Sequence, residues 1–347
     1  MVTTSAASEI DWNLYVPSEQ TLELEEAARE HFAALFSTAE VRAAVGREPA
    51  DHLWQPVVEQ GYTAIGLPES VDGLGSLVDL AAVLEQAGRA LLPVPLLATA
   101  AATQTLLAIG APVTEPPTQP STIAVPRGAA RWLGFDGRTA TTSVAVDARD
   151  GGCRIRVLSV ASADRRPVQG VDDSRAAVEF ADAAVIDEHE VDSDCESVLA
   201  PARVCVAADL VGVAAGALDG AIGHVLTREQ FGRTIGSFQA VKHLLADAYV
   251  LVERARSLTL GAAVEASTAP LGADSRRLGM LAKAAAADAA VRCSDLQVQL
   301  LGAMGLTWES DAPLFVRRAR HTAAFLGNAD DLYAAAGAES LTEGSAR

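Results

Sequence analysis

Positive charge is scarce in this chain: 27 lysines and arginines face 45 aspartates and glutamates, a formal charge of −18 over 347 residues. So acidic a surface repels phosphodiester backbones and anionic lipid alike, which excludes a nucleic-acid or membrane-surface partner from the expected functions. Cysteine is almost missing, with Cys153, Cys195, Cys205 and Cys293 the full set. They show no C-x-x-C spacing and no neighbouring histidine pattern, so spacing suggests neither a metal centre nor a disulfide framework. The thiols read as reduced and intracellular. Also missing are a basic start followed by an apolar run, and any uncharged apolar stretch of about eighteen residues or more; the expectation is a cytoplasmic protein. Aromatic residues make up only 5%, which favours closely packed helices over a large sheet.

What the chain does have is hydrophobic bulk, 50% of its residues, with alanine dominating the second half. Its length exceeds one typical core, so two or three packed subdomains are expected. After a polar arm to about residue 17, apolar residues recur at helical spacing over 19–35, 51–60, 79–91 and 96–109. Between the second and third, the IGLPES…GLGS passage reads as loop, because proline and several glycines sit poorly inside a helix. A Pro/Thr-rich linker spans 112–120. Short β-branched runs at 122–125, 139–147, 153–159 and 176–180 then predict a small antiparallel sheet, with Thr142, Val144 and Val146 on one face of the second strand. An acidic link at 187–196 leads into four long helices, at about 202–230, 237–268, 272–302 and 313–336, an up-and-down bundle. The expected fold is mostly α with a small β domain: an N-terminal helical domain (1–120), a shortened middle antiparallel β-sheet domain (121–192) and a C-terminal four-helix bundle (193–347).

The stretch REQFGRTIGSFQAVKHLLAD, residues 228–247, concentrates the chemistry. Arg228 ends one helix, Gly232 and Gly236 bracket a turn, and Ser237 is placed to cap the next helix. An arginine fork beside free N–H groups at a helix start suits a phosphate or pyrophosphate, and Phe231 offers a flat plate for a purine. The plainer reading of Arg228 is a cation complementing a helix dipole.

The same residues, Arg228, Gln230, Phe231, Gly232, Phe238, Gln239, Leu245, Ala246 and Asp247, resemble the R-x-Q-F-G…F-Q motif of the acyl-CoA dehydrogenase family. A Q-x-x-G-G-x-G-x-T segment is similar to Gln299, Gly302, Ala303, Gly305 and Thr307, with alanine at 303 where the family has glycine. A third family segment resembles Ile65 to Gly75. The order and spacing cover most of the chain, and the resemblance implies the same helix–sheet–bundle layout and an FAD cofactor. It also implies desaturation of an acyl-CoA thioester, in which a glutamate takes the α-proton while the β-hydrogen leaves as hydride. By the resemblance, Arg228, Phe231, Gln239, Gln299, Gly302 and Ala303 are cofactor-binding residues, reaching the adenosine pyrophosphate of a neighbouring subunit's FAD.

The family's glutamate is not at either of its positions. Leu326 stands at one, in the stretch that begins at Arg317, and Ala202 at the other, just before Arg203; neither side chain accepts a proton. Trp132 echoes an aromatic that the family places against the flavin ring, but the rest of that loop has no counterpart. This pattern resembles the subunit without the glutamate in actinobacterial α2β2 heterotetrameric dehydrogenases, often acting on steroid side-chain CoA thioesters. A paralogous subunit carrying the base is the implied partner. Two alternatives stay open: a self-sufficient enzyme with a relocated base, for which Asp330 and Asp331 are candidates against a capping role, and a structural homologue without flavin. His243 and His321 read as surface or core histidines rather than ligands. Gln299 reads equally as a bundle-core amide, Gly302 and Gly305 equally as helix ends, and Arg317, Arg318 and Arg320 as surface ion pairs.

Overall fold

The computed structural model describes residues 12–45, 51–128 and 131–345. The N-terminal helices are α1 (Glu19–Leu35), α2 (Thr38–Ala44), α3 (Asp51–Glu59), α4 (Leu77–Arg89) and α5 (Leu96–Ala108). Ser18 caps α1 by accepting the N–H of Thr21 at 3.0 Å. Ser76 and Asp79 make a reciprocal capping box at the start of α4, so an orphan donor at each side of the turn is satisfied. Part of the expected loose arm is ordered: the 3-10 turn Trp12–Tyr15 docks through the Tyr15 hydroxyl, which donates to Glu265 at 2.5 Å. Residues 1–11 lie outside the described residues.

The sheet holds β1 (Ser121–Pro126), β2 (Trp132–Gly134), β3 (Thr142–Arg149), β4 (Gly152–Ser159), β5 (Asp164–Pro167), β6 (Val178–Ala181) and β7 (Ala184–Val191), in the order β5-β6-β2-β1-β3-β4-β7. Five of its pairings are antiparallel and one, β1 with β3, is parallel, so the sheet is mixed rather than wholly antiparallel. On β3, Val144 and Val146 face the main core while Ala145 joins a second apolar cluster with Ala124, Leu158 and Phe180. The expected alternation is present, with both faces covered. The first half of the expected acidic link, 187–191, belongs to the edge strand β7, whose first five residues are exposed.

The last third contains α6 (Cys195–Val198), α7 (Ala200–Thr227), α8 (Gln239–Thr268), α9 (Ala273–Leu301), α10 (Ala312–Ala323) and α11 (Ala329–Ser345). A two-stranded hairpin, β8 (Glu229–Gln230) and β9 (Arg233–Thr234), lies between α7 and α8. The fourth expected helix is therefore two. Leu326 at φ 55° and Gly327 at φ 112° turn the chain out of the right-handed region and end one before the other begins. Ser237 does not cap α8: its hydroxyl donates to the Thr234 carbonyl at 2.6 Å, and Phe238 holds the cap position.

Helix α7 is the axis of the molecule. It is buried without a break from Ala200 to Leu218, which its near-continuous apolar sequence dictates. It is long and apolar enough to cross a membrane, yet 83% of its most apolar window is inside the protein. It crosses α4 at close range: a Cβ on Gly212 would sit 1.8 Å from the Glu85 carbonyl oxygen, and one on Gly88 2.0 Å from that of Asp209. Helix α9 runs parallel to it, with Gly279 beside Ala200 at one end and Gln297 beside Gly220 towards the other. The antiparallel α8 lies against both, and Cys293 of α9 meets the Ala248 carbonyl.

Where sheet, α4–α5 turn and bundle meet, four buried charges interlock. Arg175 makes two bonds to Asp209, at 2.7 and 2.8 Å. Arg318 donates to Asp172 at 2.6 Å, to Ser174 at 2.9 Å and to the carbonyls of Leu91 and Leu92. The surface reading of Arg318 is thus overturned, because a loop carboxylate from 146 residues away, Asp172, pairs with it in the interior. Arg320 does make the expected exposed pair, with Asp295, and Arg317 lies over the Trp308 ring.

Candidate functional site

Two features could carry function, and they lie at opposite ends of α7. The first is a cavity of about 640 Å³ between the sheet and the bundle, lined by Val125, Leu133 and Phe135 from one side and Leu199, Arg203, Phe325, Leu326 and Leu332 from the other. Leu326, which the resemblance puts at the family's carboxylate position, lines it directly. Ala202 is sealed in the core with no exposure. Phe135 and Phe325 stack with centroids 3.9 Å apart, and His321 stacks on Phe135 at 5.3 Å, filling part of the space a flat ring would need. Burial holds the His321 pKa below the ordinary histidine value, as a core histidine requires. Trp132 does not reach the cavity. Its neighbour Leu133 does, because successive residues of a strand face opposite ways, and Trp132 instead packs under the Arg156 guanidinium.

The 323–327 turn that carries Leu326 is held by two buried cations. Arg203 donates through Nε to the Leu326 carbonyl at 3.1 Å and pairs with Glu196 at 2.7 Å. Lys283, fully buried, donates to the Ala323 carbonyl at 2.5 Å and also to that of Gly327. Burial first, then the nearby Arg203 charge, bring the Lys283 pKa down to about 7. Sequence reasoning gave no role to Lys283, and its only signal is rarity: the chain holds a single other lysine, Lys242. Two carboxylates also line the cavity, Glu196 and Asp331. Glu196 is committed to Arg203, whereas Asp331 stands in the first turn of α11 and its carboxylate accepts from the Asn328 side-chain amide at 3.4 Å. Asp330 is exposed and does not line the cavity.

The second feature is the far end of the bundle. Because α7 and α9 run parallel and α8 returns antiparallel, the 228–239 stretch and the 299–303 stretch come to the same pole. Arg228, Phe231, Gln239, Gln299, Gly302 and Ala303 are all exposed there. The Arg228 backbone is bonded, its N–H to the His224 carbonyl and its carbonyl to the Ile235 N–H, but among the described residues its guanidinium makes no hydrogen bond or ion pair. Phe231 is 91% exposed at φ 55°, edge-on to Phe238, whose face is covered by Arg233 at 4.0 Å. Gln239 reaches His243 at 2.9 Å, and His243 sits on no ligand set. Gln299 is not a core amide; the buried one is Gln297, two positions earlier. Gly302 turns at φ 63°, while Ala303 has no positive φ, so the alanine costs nothing in backbone strain.

This donor set fits one end of a dinucleotide: a free guanidinium and two amides for phosphate oxygens, and an uncovered ring for a purine. The cavity fits the other end poorly, given the Phe135–Phe325 stack. Arg203 and Arg228 are 25 positions apart on or at the end of one helix, roughly 38 Å at 1.5 Å per residue. The cavity and the pole are separate sites.

The acyl-CoA dehydrogenase C-terminal domain family matches residues 194–334, and the N-terminal domain family matches residues 18–114. Among curated proteins, the chain is 31% identical over 316 residues to acyl-CoA dehydrogenase IpdE2 of Mycobacterium tuberculosis, covering 89% of this chain and 94% of the relative. Among solved structures, a variant of the Tcur3481-Tcur3483 steroid ACAD is similar with TM-score 0.81 and 25% identity, covering 96% of this chain and 100% of that one. The ChsE4-ChsE5 complex from Mycobacterium tuberculosis shares the fold with TM-score 0.80 and 21% identity over 94% of this chain and 98% of that one.

Proposed function

The chain belongs to the acyl-CoA dehydrogenase family of FAD-dependent oxidoreductases acting on CH–CH bonds, and we propose that it is the subunit that grips a neighbour's cofactor while the neighbour supplies the base. The observation that carries this reading is the contrast between its two sites. The cavity holds Leu326 where a carboxylate is needed and a stacked phenylalanine pair where a ring would lie, while the pole 25 residues along α7 presents an Arg228 guanidinium with no partner of its own among the described residues.

When bound, FAD supplies the hydride acceptor for α,β-desaturation of an acyl-CoA thioester. In this reading Arg228, Gln239 and Gln299 hold the phosphate oxygens of the dinucleotide, Phe231 covers its purine, and the turn at Gly302 and Ala303 lets the backbone come close to it. Exposed Leu226, Met304 and Leu306 beside them form an apolar rim of the sort that a second subunit covers. The partner is a paralogous subunit with a glutamate at the position of Leu326, in an α2β2 assembly. The similar solved structure named as a steroid ACAD supports a steroid-derived acyl-CoA.

The test is to purify this chain alone, its glutamate-bearing paralogue alone, and the two together, and record flavin absorbance and its bleaching by acyl-CoA. Tight flavin and bleaching only in the mixture is the expected result. A self-sufficient enzyme has one observation in its favour, the carboxylates of Glu196 and Asp331 on the cavity wall; bleaching by the single chain establishes that reading instead. Lack of flavin in every sample leaves a structural role.

A further inference from the structure

Cys153 and Cys195 are 42 residues apart in sequence, and their sulfurs lie 2.7 Å from each other. Cys153 is buried on β4, opposite Val191 of β7, and Cys195 opens α6 after the chain has turned back over that strand. The cross-strand pairing and the Asp194 cap, whose carboxylate accepts the Ser197 N–H at 2.8 Å and pairs with Arg276 at 2.7 Å, fix both backbones. Two sulfurs this close, on elements this constrained, need no backbone rearrangement to be joined.

We propose that Cys153 and Cys195 are an oxidant-sensitive pair that closes to a disulfide, stapling the sheet to the first turn of the bundle. The two thiols are differentiated for the task. Cys195 is partly exposed, and the hydrogen bond from Cys153 brings its pKa below the ordinary thiol value despite burial and the nearby Glu196 and Asp147 charges. Cys153 is fully enclosed, and the same hydrogen bond together with burial pushes its pKa up. Cys195 therefore meets a peroxide first. Its sulfur attacks one peroxide oxygen, the O–O bond breaks, and water leaves with a sulfenic acid on Cys195. The Cys153 sulfur then displaces that hydroxyl as a second water. The two thiols lose two electrons and two protons, and the peroxide takes up both.

The staple adjoins the cavity described above. Glu196 follows Cys195 directly and holds Arg203, which in turn holds the Leu326 carbonyl. Closing the bond fixes the first turn of α6, and with it the near wall of the cavity. The other two cysteines are no part of this: Cys205 and Cys293 are buried, and burial pushes each up to about 12.

The test uses the reduced full-length chain, freed of reductant and exposed to a small excess of hydrogen peroxide. Thiols are then titrated in denaturant, and peptides mapped without reduction. The expected result is a fall from four titratable thiols to two, a linked peptide pair containing residues 153 and 195, and full recovery with dithiothreitol. The oxidised form should also melt higher, by on the order of 5 °C. C195S should keep its remaining thiols under the same treatment. Retention of all four thiols, oxidation of Cys195 to sulfinic acid with no link, or a link that joins two copies of the chain would each overturn the proposal. Because the decisive reading is made on the wild-type chain, misfolding of a variant does not obscure it.

Discussion

The guanidinium of Arg203 donates through Nε to the carbonyl oxygen of Leu326, 123 residues later, at 3.1 Å, while its other arm pairs with Glu196. A buried arginine thus supports the backbone of a residue on the cavity wall. Arg203→Met should leave the Leu326 carbonyl without its donor and Glu196 without a counter-ion, a loss of about 2 to 4 kcal/mol. Chemical denaturation measures it; a change under 1 kcal/mol would mean the turn does not depend on this arginine.

Lys283→Met removes a cation whose pKa is brought down to about 7 and leaves two carbonyls, of Ala323 and Gly327, without a donor. In the wild type the folded pKa lies below the unfolded value, so the folded state binds fewer protons between pH 7 and about 10.4. Stability from this group therefore rises with pH across that window and is flat on either side of it. The deficit of the methionine variant should grow between pH 6.5 and 9, by on the order of 2 kcal/mol; a flat difference would show that Lys283 titrates normally.

Asp136 is buried beside Arg175 and Arg318, and burial, opposed by those two arginines, raises its pKa to about 6. With Asp136 protonated, the two arginines balance Asp172 and Asp209; ionised, it leaves one charge in excess. Its folded pKa is above its unfolded value, so its contribution is favourable below about pH 4 and is lost as pH rises through 6. Asp136→Asn should therefore gain on the wild type between pH 5 and 8, by about 1.4 kcal/mol. Melting curves at the two pH values check it, and equal spacing of the two proteins at both pH values would count against the raised pKa.

Arg228→Ala and Gln239→Ala remove exposed side chains, and each should change the stability of the isolated chain by less than about 0.5 kcal/mol. In the reconstituted mixture each should instead weaken flavin retention by roughly tenfold, the loss of one charge-assisted or neutral contact to a phosphate. Flavin titration of the mixture reads the effect; unchanged retention in both variants would remove the cofactor-gripping role.

Gly212→Ala should be severe, because the added carbon would lie 1.8 Å from the Glu85 carbonyl oxygen, and the two helices can separate only by opening the core. A loss of about 3 kcal/mol or more is expected. A melting temperature within 2 °C of the wild type, on the order of 1 kcal/mol, would show that α4 and α7 can part cheaply.

The elements legible in the sequence were those whose signal is local. Helix α7 announces itself by composition and α4 by its apolar period, and both form within two or three residues of the expected bounds. Strand β7 was read as a link because an edge strand with neither face fully covered keeps no period-two pattern. The break between α10 and α11 was missed because it rests on a leucine at positive φ, a conformation that leucine rarely adopts. Arg318, Lys283 and Asp209 could not be read as buried, because charged residues are enclosed only when partners arrive from distant segments. The Cys153–Cys195 contact escaped for the same reason: sequence spacing describes neighbours along the chain, and these two meet through strand pairing.

Helix α7 joins the cavity to the pole as a single rigid rod, buried along most of its length. Substitutions that refashion the turn around Leu326 are thus insulated from the surface around Arg228 by some seven turns of helix, roughly, at 3.6 residues each. A chain built around such a rod can be remodelled at one end of it while the other end keeps its shape.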